Sequence, residues 1–131
     1  MLIRKDDMVE VITGDDKGTP GHRRVAKVLR VLPEKNKIVV EGVNRVYKHL
    51  KPSQKNQQGG RLSKEMPIAV SNVMLYCSTC NRGVRVGRRF ASNGQKQRFC
   101  RTCSASLGNL GPVKASRAQA GAAVAGKTRR T

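Results

Sequence analysis

Two cysteine pairs, Cys77-x-x-Cys80 and Cys100-x-x-Cys103, stand nineteen residues apart and constrain the second half of the chain more tightly than any other feature. Two residues between paired cysteines let both thiolates turn toward one ion from a tight knuckle, and two knuckles complete a tetrahedron. The spacing therefore predicts a four-cysteine zinc site holding one ion. Between the pairs, Val84-Arg85-Val86-Gly87-Arg88-Arg89-Phe90 alternates, Ala91-Ser92-Asn93-Gly94 supplies an Asn-Gly turn, and residues 95–99 return. The expected element is a zinc ribbon over 75–107.

Four thiolates leave no open coordination position, and His22 and His49 are remote in sequence, so the site is expected to be structural and not catalytic. Simple addition gives such a centre a charge of about −2, which Arg82, Arg85, Arg98 and Arg101 are placed to offset while still facing phosphate. Unligated thiols and a redox CxxC are the competing readings. A redox pair needs only one CxxC and normally sits at a strand-to-helix junction, which this pattern lacks.

The first half of the chain shows short strand patterns separated by turns. Val9 and Val11 alternate with Met8, Glu10 and Ile12 in an expected strand over 8–13, and Gly14-Asp15-Asp16-Lys17-Gly18 is a turn whose aspartates can bond their own backbone amides. Residues 19–24 extend that turn into a basic loop. A second strand covers Val25–Leu32, Pro33-Glu34-Lys35-Asn36 turns, and a third covers 37–43 with a bulge expected at Gly42. Then 45–77 leaves an apolar pattern, passes through a cationic segment around Gly59-Gly60, and returns to the apolar run 68–75. A strand pair is thus expected to throw out a long basic loop, about 48–65, which cannot contribute to a core. Turn-linked strands with little helical periodicity make the fold class all-β, with a small antiparallel barrel over 1–74.

The charge balance narrows the partners. The formal net charge is +19, from 27 Lys and Arg against 8 Asp and Glu, and every acid lies at or before Glu65. From Met66 onward the chain has 12 cations and no acid. A phosphate backbone is the economical counter-charge. A solvated basic surface is the bland alternative, and membrane attachment lacks the amphipathic basic helix it needs. There is no long apolar run and no charged-then-apolar leader, so the paired cysteines are expected in a reducing compartment. No Ser-His-Asp order, paired carboxylates in an apolar pocket or phosphate-binding glycine loop is present, so neither an enzyme nor a small-molecule substrate is expected.

Asp7-Met8-Val9 through Gly14 and Lys17-Gly18, then Val25-Ala26-Lys27-Val28-Leu29, resembles a KOW motif, the strand-loop-strand unit of SH3-like barrels. Val39-Val40-Glu41-Gly42-Val43-Asn44, then Lys48-His49, Gln58-Gly59-Gly60, and Val70-Ser71-Asn72-Val73-Met74-Leu75 extend the likeness. In that order and spacing they resemble the bacterial-type large-subunit ribosomal protein L-twenty-four family, over about 5–103. The resemblance implies an SH3-like barrel bound to large-subunit ribosomal RNA beside neighbouring ribosomal proteins, acting early in assembly, with the Gly59-Gly60 loop near the peptide exit. The implied place is a bacterial cytoplasmic ribosome, with an organellar ribosome left open. Two departures stand out. Residues 19–24 are longer than the family's tight loop, leaving Gly18 and Gly21 both open as its key glycine, and Ala69 stands where many relatives have His.

Clustering and family position together make Lys48, His49, Lys51, Lys55, Arg61 and Lys64 candidate RNA contacts. Arg4, Lys5, Lys17, Arg23 and Arg24 around the first barrel loop, Asn72 in the Ser-Asn segment, and Arg85, Arg88 and Arg89 in the ribbon complete the set. Tyr47 is expected to pack the barrel in preference to stacking a base, so contacts should be mainly to phosphate and RNA shape. Residues 108–131, rich in Ala, Gly and cations, read as a basic tail. The competing assignment is a KOW-type transcription-associated nucleic-acid-binding protein.

Overall fold

A computed structural model describes residues 1–55 and 57–113. Two compact units divide the chain, one running from Ile3 to Tyr76 with Met1, the other beginning at Cys77 and including Leu2. Among the described residues the regular structure is all strand apart from one 3₁₀ turn.

The first unit contains β1 (Met8–Val11), β2 (Val25–Leu32), β3 (Lys37–Val40), β4 (Arg45–Leu50), β5 (Gly60–Glu65), β6 (Ile68–Ala69) and β7 (Val73–Cys77). Its main sheet runs β6-β3-β2-β1-β7, with β1 antiparallel to β2 and β7 and β3 antiparallel to β2 and β6. Within this unit β6 and β7 stand at the two ends of the strand order and are joined only by the 3₁₀ turn Val70–Asn72. Three residues cannot cross an open five-stranded sheet about 19 Å wide, so the sheet must curl until its edges meet. The result is a small barrel of the expected SH3-like type.

Period-two alternation fills it: Val9, Val28, Ile38 and Val40 are fully buried, with Val11, Val43, Val73 and Leu75 nearly so. Each fully buried Val, Leu or Ile contributes about 1.5–3 kcal/mol. Most of these side chains are β-branched and suit the pleat.

Several boundaries differ from expectation. β1 stops at Val11, because Ile12 donates its N–H to the Asn72 carbonyl (3.0 Å). β3 stops at Val40, and Gly42, at φ 65°, forms a turn closed by Val43 N–H to the Val40 carbonyl (3.4 Å). The bulge lies instead in β2, where the register shifts between Val28 and Arg30 and leaves Leu29 extra and exposed. Asp16 does not bond its own turn. Its carboxylate accepts from the Asn44 amide at 2.6 Å, while Asn44 also exchanges bonds with the Met66 backbone. Asn44, at φ 52°, thus ties the root of the basic segment to the first loop.

The basic segment is not a loop throughout. β4 and β5 pair in antiparallel register from Arg45↔Glu65 to Leu50↔Gly60, leaving only 51–59 as connection. Gly59 sits at φ 59°, and a Cβ there would stand 2.8 Å from the Leu50 carbonyl oxygen, so glycine is required where the chain re-enters β5.

The second unit holds β8 (Arg82–Val84), β9 (Val86–Phe90), β10 (Lys96–Cys100) and β11 (Ser106–Asn109), the last three forming a sheet in the order β11-β10-β9. The Asn-Gly turn joins β9 to β10, with Gly94 N–H to the Ala91 carbonyl at 2.9 Å. β11 was not expected: it takes Gly108 and Asn109 into the sheet, and Leu107 packs on the cluster of Cys77, Val84 and Cys100. The tail reading for 114–131 lies outside the described residues.

The first loop distinguishes its two glycines. A Cβ on Gly18 would fall on the backbone of Arg24 and His22, whereas one on Gly21 would meet nothing within 4 Å. Gly18→Ala should therefore lower stability by about 1–3 kcal/mol, and Gly21→Ala should change it by less than about 1 kcal/mol. Urea unfolding of the two variants checks this, and equal effects would contradict it.

Candidate nucleic-acid interface and metal centre

Strand pairing sorts the predicted cations of the hairpin onto two faces. Arg45, Tyr47 and His49 share one face with Arg61, Ser63 and Glu65, while Val46, Lys48 and Leu50 share the other with Leu62 and Lys64. Every side chain of β4 and β5 is exposed except those of Leu50 and Glu65, which are half-buried. Among the described residues no core lies under either face. Cross-strand pairs supply only about 0.2–1 kcal/mol each, far less than the buried aliphatics supply to the barrel, so the hairpin relies on its ladder and its Asn44 root. Lys51 and Lys55 lie in the connection.

Tyr47 departs from its expected packing role. It is 55% exposed, and the Arg61 guanidinium carbon sits 4.2 Å from its ring centroid. The sequence signal for its exposure is strand alternation through Arg45-Val46-Tyr47-Lys48, which does not by itself separate a hairpin strand from a barrel strand.

At the first loop, Lys17, His22, Arg24 and Arg45 line an open cleft of about 580 Å³ together with Asp15 and Asp16. Arg24 donates from Nη2 to the Gly42 carbonyl at 3.1 Å, which fixes its guanidinium at the cleft edge. Arg45 was not anticipated as part of this group; its place follows from the turn at Gly42, where a bulge was expected. Arg23 instead pairs with Glu10 at 2.7 Å, so its charge is partly matched within the chain. Arg4 and Lys5 are exposed in the turn before β1, where the Arg4 amide donates to Asp7 at 2.6 Å. Asn72 is half-buried at the end of the 3₁₀ turn and lines a second cleft that also holds Asp15, Asp16 and Lys37.

In the ribbon, Arg85, Arg88 and Arg89 are all exposed, with Arg89 5.2 Å from the Phe99 ring centroid. Arg98 corrects the expectation that it faces phosphate. It is only 5% exposed, and its Nη1 donates to the carbonyl of Leu2, which groups with this unit, at 2.8 Å.

The four thiols converge. All four sulfurs lie within 4.8 Å of one another, with Cys77 and Cys103 Sγ 3.6 Å apart and Cys80 and Cys100 Sγ 3.8 Å apart. Tetrahedral ligands at about 2.3 Å from a zinc ion stand about 3.8 Å from one another. The residues therefore fit a tetrahedral, thiolate-bound metal ion. Backbone amides prepare the charge. The Cys80 amide, against burial, and then the Cys103 thiol and the Thr79 amide draw the Cys77 thiol below its ordinary value. The Cys103 amide, with Thr102 donating at 3.4 Å, pulls Cys100 down to about 6. Cys80 is pushed up to about 12, first by sharing a proton with the Cys103 sulfur and then by burial.

The architecture is all-β in two units: a barrel bearing a cationic hairpin, and in sequence after it a ribbon built on four cysteines. A family model described as "Large ribosomal subunit protein uL24, C-terminal domain" matches residues 43–107. A uL24 from Rhodopirellula baltica is 49% identical over 118 residues, covering 90% of this chain and 98% of that protein. Those of Heliobacterium modesticaldum and Syntrophomonas wolfei are 52% and 50% identical, covering 77% and 82% of this chain and 86% and 99% of their own lengths. The chain belongs to the uL24 family of large ribosomal subunit proteins.

Because amide donation pulls the Cys100 thiol down to about 6, metal uptake at pH 7 should release fewer than four protons per chain; acid should expel the ion by reprotonating the sulfurs. Indicator titration of the metal-free chain with zinc measures the count, and four protons released would contradict a thiolate already present at Cys100.

Proposed function

We propose that this chain is a structural constituent of the large ribosomal subunit that binds large-subunit ribosomal RNA, enters early in assembly, and carries its hairpin near the peptide exit. The observation that carries the reading is the free-standing hairpin of a uL24-family chain, with cations on both faces and no core beneath them. Its role is structural and not enzymatic, as membership in this family indicates. The barrel and hairpin supply the main RNA contacts through Lys48, His49, Lys51, Lys55, Arg61 and Lys64, with Lys17 and Arg24 at the first loop. Arg4, Lys5, Arg23 and Asn72 are secondary contacts on the same unit. The ribbon adds Arg85, Arg88 and Arg89, and the basic tail beyond it adds charge. Neighbouring ribosomal proteins are the other partners, and a bacterial cytoplasmic ribosome is the setting. No helix among the described residues is long and apolar enough to cross a membrane.

The metal in this reading is one zinc ion, held by Cys77, Cys80, Cys100 and Cys103. Four thiolates favour zinc over hard, oxygen-seeking cations, and a closed tetrahedral set supplies folding energy and no reactive position. The small ribbon core of Cys77, Val84 and Cys100 explains the need for it.

Titration with large-subunit ribosomal RNA against transfer RNA at several salt concentrations tests the RNA half. Preference for the ribosomal RNA is expected, with affinity falling steeply as salt rises. Lys48→Gln combined with Lys64→Gln should make the log-log salt slope shallower by about 0.7–0.9 for each phosphate contact removed. Equal binding of transfer RNA would contradict selective recognition of large-subunit ribosomal RNA and leave the ribosomal role resting on family membership alone. Elemental analysis should give one zinc per chain, lost in Cys77→Ser, and a metal-free purified chain with an intact ribbon would overturn the zinc reading.

A further inference from the structure

We propose that the Tyr47–Arg61 pair is a stacking platform for an unpaired RNA base, so that the hairpin engages a single-stranded nucleotide in addition to phosphates. The inference rests on the RNA reading above. Tyr47 and Arg61 occupy one hairpin face, with the guanidinium 4.2 Å from the ring centroid and the ring still 55% exposed. The residue directly across from Tyr47 is Ser63, which is too small to cover an aromatic ring. His49 lies directly across from Arg61, and Arg45 is two residues before Tyr47 on the same face. A ring, a guanidinium plane and an imidazole thus stand side by side on an exposed strand pair. Phosphate contact alone needs none of these planes.

Charge decides the occupant. Residues 45–65 carry six Lys and Arg against the single acid Glu65, so a nucleotide is favoured over an apolar or basic protein segment. Aromatic and guanidinium planes accept any base, because every base has a π face, and flanking cations hold the adjoining phosphates. A base paired within a continuous duplex cannot reach such a platform. The RNA site therefore contains a loop, bulge or junction nucleotide.

The chain has two tyrosines and no tryptophan, so Tyr76→Phe leaves Tyr47 as the sole emitter. In that full-length background, adding large-subunit ribosomal RNA should quench tyrosine fluorescence. Tyr47→Phe should keep affinity, while Tyr47→Leu should lose about 5- to 150-fold with the salt slope unchanged, because no phosphate contact is lost. Circular dichroism of Tyr47→Leu and its zinc content should match the parent. Absence of quenching, wild-type affinity in Tyr47→Leu, or a loss accompanied by a shallower salt slope would each overturn the platform. If the parent chain itself showed no preference for ribosomal RNA, the RNA reading would fail first, and the platform with it.

Discussion

Uncompensated positive charge is the constraint on which the rest of this molecule depends. A net charge of +19 on 131 residues opposes compaction unless the charges are spread over surfaces that do not have to pack together. The chain meets that condition with short antiparallel strands. A strand can bury one face and expose the other, and a paired hairpin can expose both while its backbone groups remain satisfied. Cations are accordingly placed outside the barrel, along both faces of β4 and β5, and along β9.

Two small cores support this arrangement. In the barrel, aliphatic side chains of modest size fill the interior, and a three-residue 3₁₀ turn closes the sheet. In the ribbon, two of the three buried residues of the hydrophobic cluster are cysteines, so thiol chemistry replaces hydrocarbon as the organising element. The same knuckle amides that shape the turns also stabilise negative sulfur at Cys77 and Cys100. Local backbone geometry and ligand charge are thus one feature of the sequence.

Much of this was legible in the sequence. Val25–Leu32, rich in Val and Leu and bounded by turns, forms the strand its composition indicates, and the cysteine spacing led directly to the clustered thiols. Three features were hidden. The hairpin strands lacked an apolar face, because β4 and β5 are stabilised by backbone pairing and not by burial, so hydrophobic periodicity could not reveal them. The bulge at Leu29 and the turn at Gly42 were exchanged because a glycine signals both departures from regular pairing. Arg98 looked like its exposed neighbours, and only its place on β10 beneath Gly108, 3.0 Å from where a Cβ would stand, takes it out of solvent. Within the candidate interface, Arg45 was missed because the turn at Gly42 was read as a bulge, and Tyr47 was assigned to the barrel because its strand shows no apolar face of its own.

The account's central claim is that the hairpin is a surface finished by its partner and not by its own core. Amide hydrogen exchange, compared between the free chain and large subunits assembled with it, measures that directly. In the free chain the β4–β5 amides should exchange well before those of the β1–β2 ladder, and in the assembled subunit they should become protected. Hairpin amides as protected as the barrel in the free chain, or exchanging unchanged within the subunit, would contradict the claim.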